Sequence, residues 1–302
     1  MVSAAAVVLV THPDQAHDVW KTLARVPISS LAGALLLILS QFGFQSFRLW
    51  TLIPRDVALS LGRTAYAFAI GEWFNIFTPA RAGDALKVLL LNRAAGAPIS
   101  LPKATGAVLA DKIVDAGALV LLCAATGLAG LLQAGAEARL PGAWTVAAAV
   151  MVLALALLGI HFARPRWLER LTRRRHELVK GLAALKDPVQ LLASTSFSMS
   201  AWLAELLALR VLCTALGFPL SVPQLVLALT VLNLGISVPV SIANLGLYEA
   251  ALAFGLNRAG VPLPSAIAIG ALHHALQLVA TNLGAAGLSL WVAARGGSVR
   301  VG

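Results

Sequence analysis

The chain has 302 residues, of which 59% are hydrophobic and only 12% are charged, and its formal net charge is +10. About a quarter of the residues in a soluble domain are charged, so this composition excludes an ordinary soluble globular protein. It predicts an all-α polytopic membrane protein. The basic residues stand in short stretches between apolar runs, which is typical of loops beside anionic lipid and argues against nucleic acid as a partner.

Apolar runs of about 20 residues, the length that a membrane-spanning helix needs, recur along the chain. We predict about seven or eight transmembrane helices in a single integral membrane domain over residues 1–302. An apolar run near the N-terminus is interpreted as the stub of one of them, because no basic residue precedes it as in a signal peptide. The other predicted spans are 28–48, 57–77, 103–132, 143–163, 190–216, 221–241 and 264–294. Two shorter runs, 79–91 and 245–257, are predicted as re-entrant helical hairpins.

Residues 164–187 are the most basic part of the chain. Arginine and lysine accumulate on the cytoplasmic side of membrane proteins, so we predict a cytoplasmic segment here. Its apolar residues fall within about 60° of one another on a helical wheel. That pattern is consistent with a basic amphipathic helix on the inner leaflet and, equally, with a solvated basic linker. The residues on this face are Trp167, Leu171, Leu178, Leu182 and Leu185.

The placement of residues 164–187 determines the orientation of the other loops. Tracing the chain from this segment, we place the loops at 48–56 and 92–103 inside because of their basic residues, which are Arg48 and Arg55 in the first loop and Arg93 and Lys103 in the second. The loop at 133–142, which has only Arg139, and the uncharged loop at 217–221 are placed outside, and the C-terminus is placed inside. We therefore expect a multi-pass protein of the cytoplasmic membrane with a cytoplasmic C-terminus.

Two stretches of the sequence resemble each other. Residues 91–104 read LNRAAGAPISLPKA, and residues 256–266 read LNRAGVPLPSA. The orientation places one stretch inside and the other outside, which predicts an inverted repeat of residues 28–132 and 190–294, as in many secondary transporters. Upstream of each stretch, a proline and a glycine that interrupt the helical pattern are followed by an acidic residue. These are Pro79, Gly83 and Asp84 in the first repeat, and Pro239, Gly246 and Glu249 in the second.

A broken helix exposes backbone N–H and C=O groups, which at membrane depth need protein or a water-filled cavity around them. The N–H groups at the start of a helix bind anions, and neighbouring cations favour phosphate. The first hairpin therefore predicts a lipid phosphate site. Its predicted ligands are Arg81, Lys87 and Lys112.

Charged residues also stand inside the predicted spans, where an unpaired charge is costly. Asp111 and Asp115 lie four residues apart on one helix face, on either side of Lys112. Such groups pair with one another, contact a ligand directly or relay protons, and the pattern is consistent with all three. The residues assigned to a charge network or to proton coupling are Asp84, Asp111, Asp115, Glu249 and His274.

No sequence motif predicts a cofactor, a metal site or an enzyme active site. The nucleotide-binding, metalloprotease and nucleophile-elbow patterns do not occur. The adjacent His273 and His274 point about 100° apart on a helix, which argues against their chelating one metal. We therefore expect a transporter rather than an enzyme, with membrane lipids as its partners.

These residues resemble the pattern of the lysylphosphatidylglycerol synthase transmembrane family of flippase-like integral membrane proteins. The similarity extends over about residues 20–294. It includes FRLW at 47–50, then Asn75, Pro79, Arg81, Gly83, Asp84 and Lys87, then Asp111, Lys112 and Asp115, and finally Pro239, Gly246 and Glu249. The family usually has Glu-Arg at 111–112 and often an arginine near residue 274, so this chain departs from the pattern at both places.

The resemblance implies a protein that handles amphipathic lipids. Our first hypothesis is translocation of an anionic phospholipid or a polyprenyl-phosphate-linked lipid across the cytoplasmic membrane. The alternative is a lipid-binding membrane subunit of a separately encoded lipid synthase or glycosyltransferase, and a third interpretation is a membrane enzyme acting on the lipid phosphate. The chain leaves no room for the soluble aminoacyl-transfer domain of the synthases, so we expect no synthase activity.

Overall fold

The computed structural model describes residues 25–78, 82–94, 99–133, 172–237 and 242–295. These residues form nine α-helices and two short 3-10 segments, without a strand among them, so the predicted all-α class is confirmed. The predicted span at 143–163 lies outside the described residues. The helices are α1 (Ile28–Thr51), α2 (Leu61–Phe77), α3 (Ala82–Asn92), α4 (Leu101–Gln133), α5 (Thr172–Gly181), α6 (Pro188–Ala215), α7 (Val222–Ile236), α8 (Leu247–Arg258) and α9 (Leu263–Ala294).

Three of these helices are long and apolar enough to cross a bilayer. They are α1, α6 and α9, with 24, 28 and 32 residues, against the roughly 20 that a span requires. The chain is therefore a multi-pass membrane protein. The total of seven or eight spans stays a prediction.

Two predicted spans are shorter in the structure than in the sequence pattern. α2 begins at Leu61 rather than near residue 57, because residues 53–60 form turns instead of a helix. The Val57 N–H donates to the carbonyl of Pro54 at 2.9 Å, and the Trp50 indole N–H donates to the carbonyl of Leu59 at 2.9 Å. α7 ends at Ile236 after 15 residues. Local turn chemistry, which hydropathy does not report, shortens α2.

The described residues form two compact units, and each contains one pair of short helices. The α2–α3 unit comprises the described parts of 41–118, 153–201 and 281–302. In it α2 and α3 pack along each other at a glycine contact. A Cβ added to Gly83 would lie 1.9 Å from the carbonyl oxygen of Gly71, so only glycine permits this approach.

The loops at one end of the α2–α3 unit are joined by polar contacts. Asp187 caps α6 by accepting a hydrogen bond from the Val189 N–H at 2.9 Å, and Pro188 follows as the first helical residue. The same side chain pairs with Arg55 at 2.6 Å. A hydrogen bond from Lys103, in the first turn of α4, lowers the pKa of Asp56 below its ordinary value.

The end of the predicted basic segment packs against protein. Gly181, the last residue of α5, lies so close to α4 that a Cβ on it would be 2.2 Å from the carbonyl oxygen of Lys103. Leu182 and Leu185 pack against a buried cluster that contains Leu52 and Val114. Two leucines of the predicted amphipathic face thus contact protein. The inner-leaflet position of the segment stays a prediction, and residues 164–171 lie outside the described residues.

The α7–α8 unit comprises the described parts of 1–40, 119–152 and 202–280. α7 and α8 pack along each other through small residues, since a Cβ on Gly255 would lie 2.7 Å from the Cα of Ala228. The chain turns into α8 through left-handed backbone at three residues: Ala243, Asn244 and Gly246, with φ of 53°, 54° and 81°. Each unit therefore holds a short helix pair whose close approach depends on glycine.

Candidate functional site

The structure brings five of the predicted site residues together in the α2–α3 unit. Asp84 and Lys87 lie on α3, and Asp111, Lys112 and Asp115 lie on α4. Two further residues from α1 and α2 complete the arrangement, so that charges from four helices form two adjoining ion-pair networks. The two additional residues are Arg48 and Glu72.

The first network is centred on Arg48, which is only 2% exposed. Its Nε donates to Asp111 Oδ1 at 2.6 Å and its Nη2 to Asp111 Oδ2 at 3.2 Å, a two-point guanidinium–carboxylate pair. Its Nη1 pairs with Asp115 and donates to Ser198 Oγ at 3.0 Å. The Ser198 hydroxyl in turn donates to Asp115 at 3.0 Å. This network links α1, α4 and α6 at a depth where each charge needs a partner.

The placement of Arg48 in a cytoplasmic loop is wrong. α1 continues to Thr51, so Arg48 lies within the last turn of the helix, facing the interior of its unit. The positive-inside count for this loop therefore rests on Arg55, whose side chain is exposed. Arg48 belongs to the FRLW motif of the family pattern. Hydropathy alone does not predict that it pairs with Asp111 and Asp115, which lie 63 and 67 positions later in the chain.

The second network is centred on Lys87, which is 1% exposed. Its Nζ pairs with Glu72 on α2 and donates to Asp84 at 2.9 Å. The same ammonium lies 4.7 Å from the centre of the Phe68 ring, a cation–π contact. Two carboxylates and an aromatic face thus occupy the surroundings of Lys87, and a phosphate would have to replace one of those carboxylates to bind it.

Lys112 differs from the two buried cations. Its side chain is 36% exposed, and its ion pair in this structure is with Asp84, at 3.3 Å. This is the longest ion pair of the two networks. Lys112 is therefore the described cation of the group that an incoming anion can reach with the least rearrangement.

The start of α3 is held by a side chain of α2. The Gly83 N–H donates to Asn75 Oδ1 at 2.8 Å, and Asp84 occupies the first turn of the helix. One of the N–H groups expected to bind an anion is thus already paired, and a carboxylate already lies near the positive end of the helix dipole. Pro79 and Arg81 lie outside the described residues.

The α7–α8 unit holds the remaining predicted residues. Glu249, in the first turn of α8, accepts a hydrogen bond from the Gly246 N–H at 2.6 Å through Oε2. Its Oε1 lies 2.9 Å from His274 Nδ1 on α9. The ring of His274 stacks on that of Tyr248, with centroids 4.2 Å apart and planes at 8°. Pro239 lies outside the described residues.

His273 also contacts Tyr248, but through a different atom. Its Nδ1 lies 2.7 Å from the Tyr248 hydroxyl, whereas His274 stacks on the ring of that tyrosine. Its Nε2 is buried and has no hydrogen-bond partner in the part of the chain that the structure describes. The Nδ1 atoms of the two histidines therefore face different groups, the Tyr248 hydroxyl and the Glu249 carboxylate.

The polar contacts of the two units occur in the same order along the chain, with a loop that is three residues longer in the α2–α3 unit. Asp84 precedes Asn92 by eight residues, as Glu249 precedes Asn257. Each asparagine donates to the carbonyl of a buried residue in the following loop: Asn92 to Ile99 at 2.6 Å and Asn257 to Val261 at 3.0 Å. Lys112 stands thirteen residues after Ile99, and His274 stands thirteen residues after Val261. Lys112 pairs with Asp84, and His274 pairs with Glu249.

Sequence reasoning identified most of the charges but not all of their partners. Glu72, Ser198 and Tyr248 are absent from the predicted site, although Glu72 stands in an apolar span and an intramembrane acid is itself a signal of function or pairing. Ser198 has no comparable signal, because serine is common in membrane helices and its role depends on Arg48 and Asp115 approaching it.

Comparison with known proteins identifies the family of the chain. No curated protein gave a match. The family model for the lysylphosphatidylglycerol synthase TM region matches residues 1–284, which include both short helix pairs and the charged residues of both units described above. The resemblance inferred from the motifs is confirmed, and the chain belongs to the lysylphosphatidylglycerol synthase transmembrane-region family.

Proposed function

We propose that this protein translocates an anionic phosphate-bearing lipid, a phospholipid or a polyprenyl-phosphate-linked lipid, across the cytoplasmic membrane. The observation that carries the proposal is the contrast between Lys112 and the other intramembrane cations. Among the described residues, Arg48 and Lys87 are buried and each holds two carboxylates, whereas Lys112 is partly exposed and its ion pair with Asp84 is longer than theirs.

This contrast divides the cations by role. Arg48 and Lys87 hold α1, α2, α3 and α4 in position, because removing either would leave carboxylates buried without a counter-charge. Lys112 exchanges its 3.3 Å contact with Asp84 for a charge-assisted hydrogen bond to the lipid phosphate. The positive charge of Lys87 attracts the phosphate from a distance. Lys87 binds the phosphate directly only when Glu72 or Asp84 moves away.

Arg81 completes the site in this proposal. The two networks contain three cations and four carboxylates among the described residues, so they carry one net negative charge. Arg81 immediately precedes α3 and stands three residues before Asp84 in the sequence. Its guanidinium would neutralise this excess and provide the planar, two-point geometry that suits a phosphate.

The matching registers of the two units support an inverted repeat and hence a transporter. An acid on a short helix, paired with the corresponding position of the next long helix, occurs once in each unit. Duplicated short helices around a polar site are the architecture of many secondary transporters. In this proposal the lipid changes its leaflet but not its chemistry.

A reconstitution experiment tests the proposal. The probe is a fluorescent phosphatidylglycerol in phosphatidylcholine vesicles, and its movement between leaflets is followed with an impermeant quencher. We expect Lys112→Ala to slow translocation about tenfold or more, since a hydrogen bond to a charged group contributes about 1.5–3 kcal/mol. Lys180→Ala is the matched control, because Lys180 lies on α5 and pairs with the neighbouring Glu177.

The outcomes separate the competing functions. Wild-type rates in Lys112→Ala would overturn the assignment of this lysine. Lipid that co-purifies with the wild type and is lost in Lys112→Ala, without translocation, would favour the lipid-binding subunit of a separate enzyme. A chemically altered lipid, detected by mass spectrometry after incubation, would instead indicate a membrane enzyme.

A further inference from the structure

The two units hold equivalent pairs that differ in one chemical respect. In the α2–α3 unit the acid of the short helix meets Lys112, whose ammonium is a permanent cation near neutral pH. In the α7–α8 unit the acid at the matching position meets His274, whose imidazole is the side chain suited to gain and lose a proton between about pH 5 and pH 8. At the corresponding position, one unit thus has a lysine and the other has a histidine.

His274 lies between an acidic side chain and an aromatic ring. The Glu249 Oε1 is 2.9 Å from its Nδ1. The ring of Tyr248 stacks on the imidazole, with ring centroids 4.2 Å apart. A carboxylate and the negative π surface of an aromatic ring are both groups that contact cations in proteins.

In the described part of the chain, the titratable groups beside the pair include Tyr248 and His273, which are hydrogen-bonded to each other. Glu205 on α6 acts electrostatically on the Tyr248 hydroxyl. α7, which packs against α8, has no titratable residue in its sequence.

His273 provides an independent indication that protons or water reach this site. Its buried Nε2 lacks a hydrogen-bond partner among the described residues, although its Nδ1 contacts the Tyr248 hydroxyl. Buried polar atoms in native structures are almost always paired, with protein or with ordered water. An unpaired imidazole nitrogen beside His274 is a place where a water molecule can deliver a proton.

We propose that the Glu249–His274 pair is the proton-carrying site that energises the lipid translocation proposed above, on which this inference rests. With one proton, shared between Glu249 Oε1 and His274 Nδ1, the pair has a net charge of −1. A second proton makes it neutral as carboxylate and imidazolium. One proton enters the pair from one side of the membrane and leaves to the other for each lipid moved, and only N–H and O–H bonds form and break.

The first test measures proton binding without any lipid transport. Infrared difference spectra of the purified protein between about pH 5 and pH 8 should show imidazole and carboxylate bands that change in the wild type. His274→Lys, which reproduces the lysine–acid pair of the other unit, should lose the bands that belong to the pair while retaining the ion pair to Glu249. The other five histidines are present in both proteins, so the difference between the two sets of spectra reports His274 and Glu249. If that variant does not fold, Glu249→Gln serves instead. Identical spectra in the wild type and in both variants would overturn the proposal.

The second test measures coupling at equilibrium. Vesicles of phosphatidylcholine with a trace of fluorescent phosphatidylglycerol receive a gradient of about one pH unit, with potassium and an ionophore holding the voltage at zero. One proton per lipid drives the leaflet distribution of the probe toward about tenfold asymmetry, since one pH unit is a tenfold ratio of proton activity. His176→Gln, a change of an exposed histidine on α5, should behave as the wild type does.

The two proposals fail in different ways. Lipid that equilibrates rapidly to an even distribution, whatever the gradient, would overturn proton coupling and leave translocation intact. No lipid movement in wild-type vesicles, with or without the gradient, would overturn the proposed function and the coupling with it. Asymmetry in the wild type and in His176→Gln that disappears in His274→Lys would support both.

Discussion

At the scale of single residues, Arg48 shows how a membrane protein satisfies an internal charge. Its guanidinium meets Asp111 at two points and also contacts Asp115 and Ser198. The cost of desolvating these groups is offset only while all of them are present, because any one left alone would be a buried charge without a partner.

We expect Arg48→Gln to destabilise the protein by about 3–5 kcal/mol, because it leaves two carboxylates facing each other in the interior. Thermal or denaturant unfolding of the purified protein in detergent would measure the loss. Arg48→Lys should also destabilise, since an ammonium cannot reproduce the two-point contact with Asp111.

A matched arginine provides the control for this prediction. Arg55 forms an ion pair with Asp187, but its side chain is 65% exposed. Arg55→Gln should therefore change the free energy of unfolding by about 1 kcal/mol or less. Equal effects of Arg48→Gln and Arg55→Gln would contradict the buried network.

At the scale of the helices, the contact between α2 and α3 depends on the absence of a side chain. Gly83 lies against the backbone of Gly71 while its own N–H bonds Asn75. This approach brings Glu72 on α2 within reach of Lys87 on α3, so the packing of the helix pair and the charge network depend on each other.

Gly83→Ala should separate the two helices and lower the free energy of unfolding by about 2 kcal/mol or more, because the new methyl group would meet backbone atoms that cannot yield. Gly43→Ala on α1 is the comparison, since a Cβ there has no atom within 4 Å. That change should be neutral or stabilising by up to about 1 kcal/mol. Both variants can be compared by unfolding in the same detergent, and a harmless Gly83→Ala would contradict the close packing.

The sequence predicted where the short helices begin but not the contact that holds α2 against α3. Prolines, glycines and short apolar runs predicted a break near residue 80 and another near residue 245, and α3 and α8 begin close to both. The close contact of Gly83 with Gly71 could not be predicted from the sequence. A glycine in a sequence signals a turn or a close approach equally well, and only the position of Gly71 distinguishes them.

At the scale of the whole molecule, the orientation in the membrane can be tested with single cysteines. The native Cys123 and Cys213 are buried, so they should give little background with an impermeant maleimide. We expect His176→Cys to be labelled only from the cytoplasmic side and Pro219→Cys only from the opposite side, following the charge distribution of the loops. Labelling of both from the same side would contradict the predicted orientation and the inverted repeat.

The sequence by itself determined the membrane character, the helical class, the family and most of the charged residues that the structure brings together. Each of these follows from local properties: the length of apolar runs and motifs within a few tens of residues. The two LNRA-containing stretches include Asn92 and Asn257, which make the same kind of contact in the structure, while the inverted repeat stays a prediction.

Only the tertiary structure decided which charge has which role. Arg48 pairs with residues more than 60 positions away, Lys87 is enclosed by two carboxylates, and Lys112 stays partly exposed. All three are basic residues among apolar neighbours, and nothing in their local sequence ranks them by burial. Burial and pairing arise when helices distant in the chain pack together, because the free energy of an intramembrane charge depends on the groups that surround it.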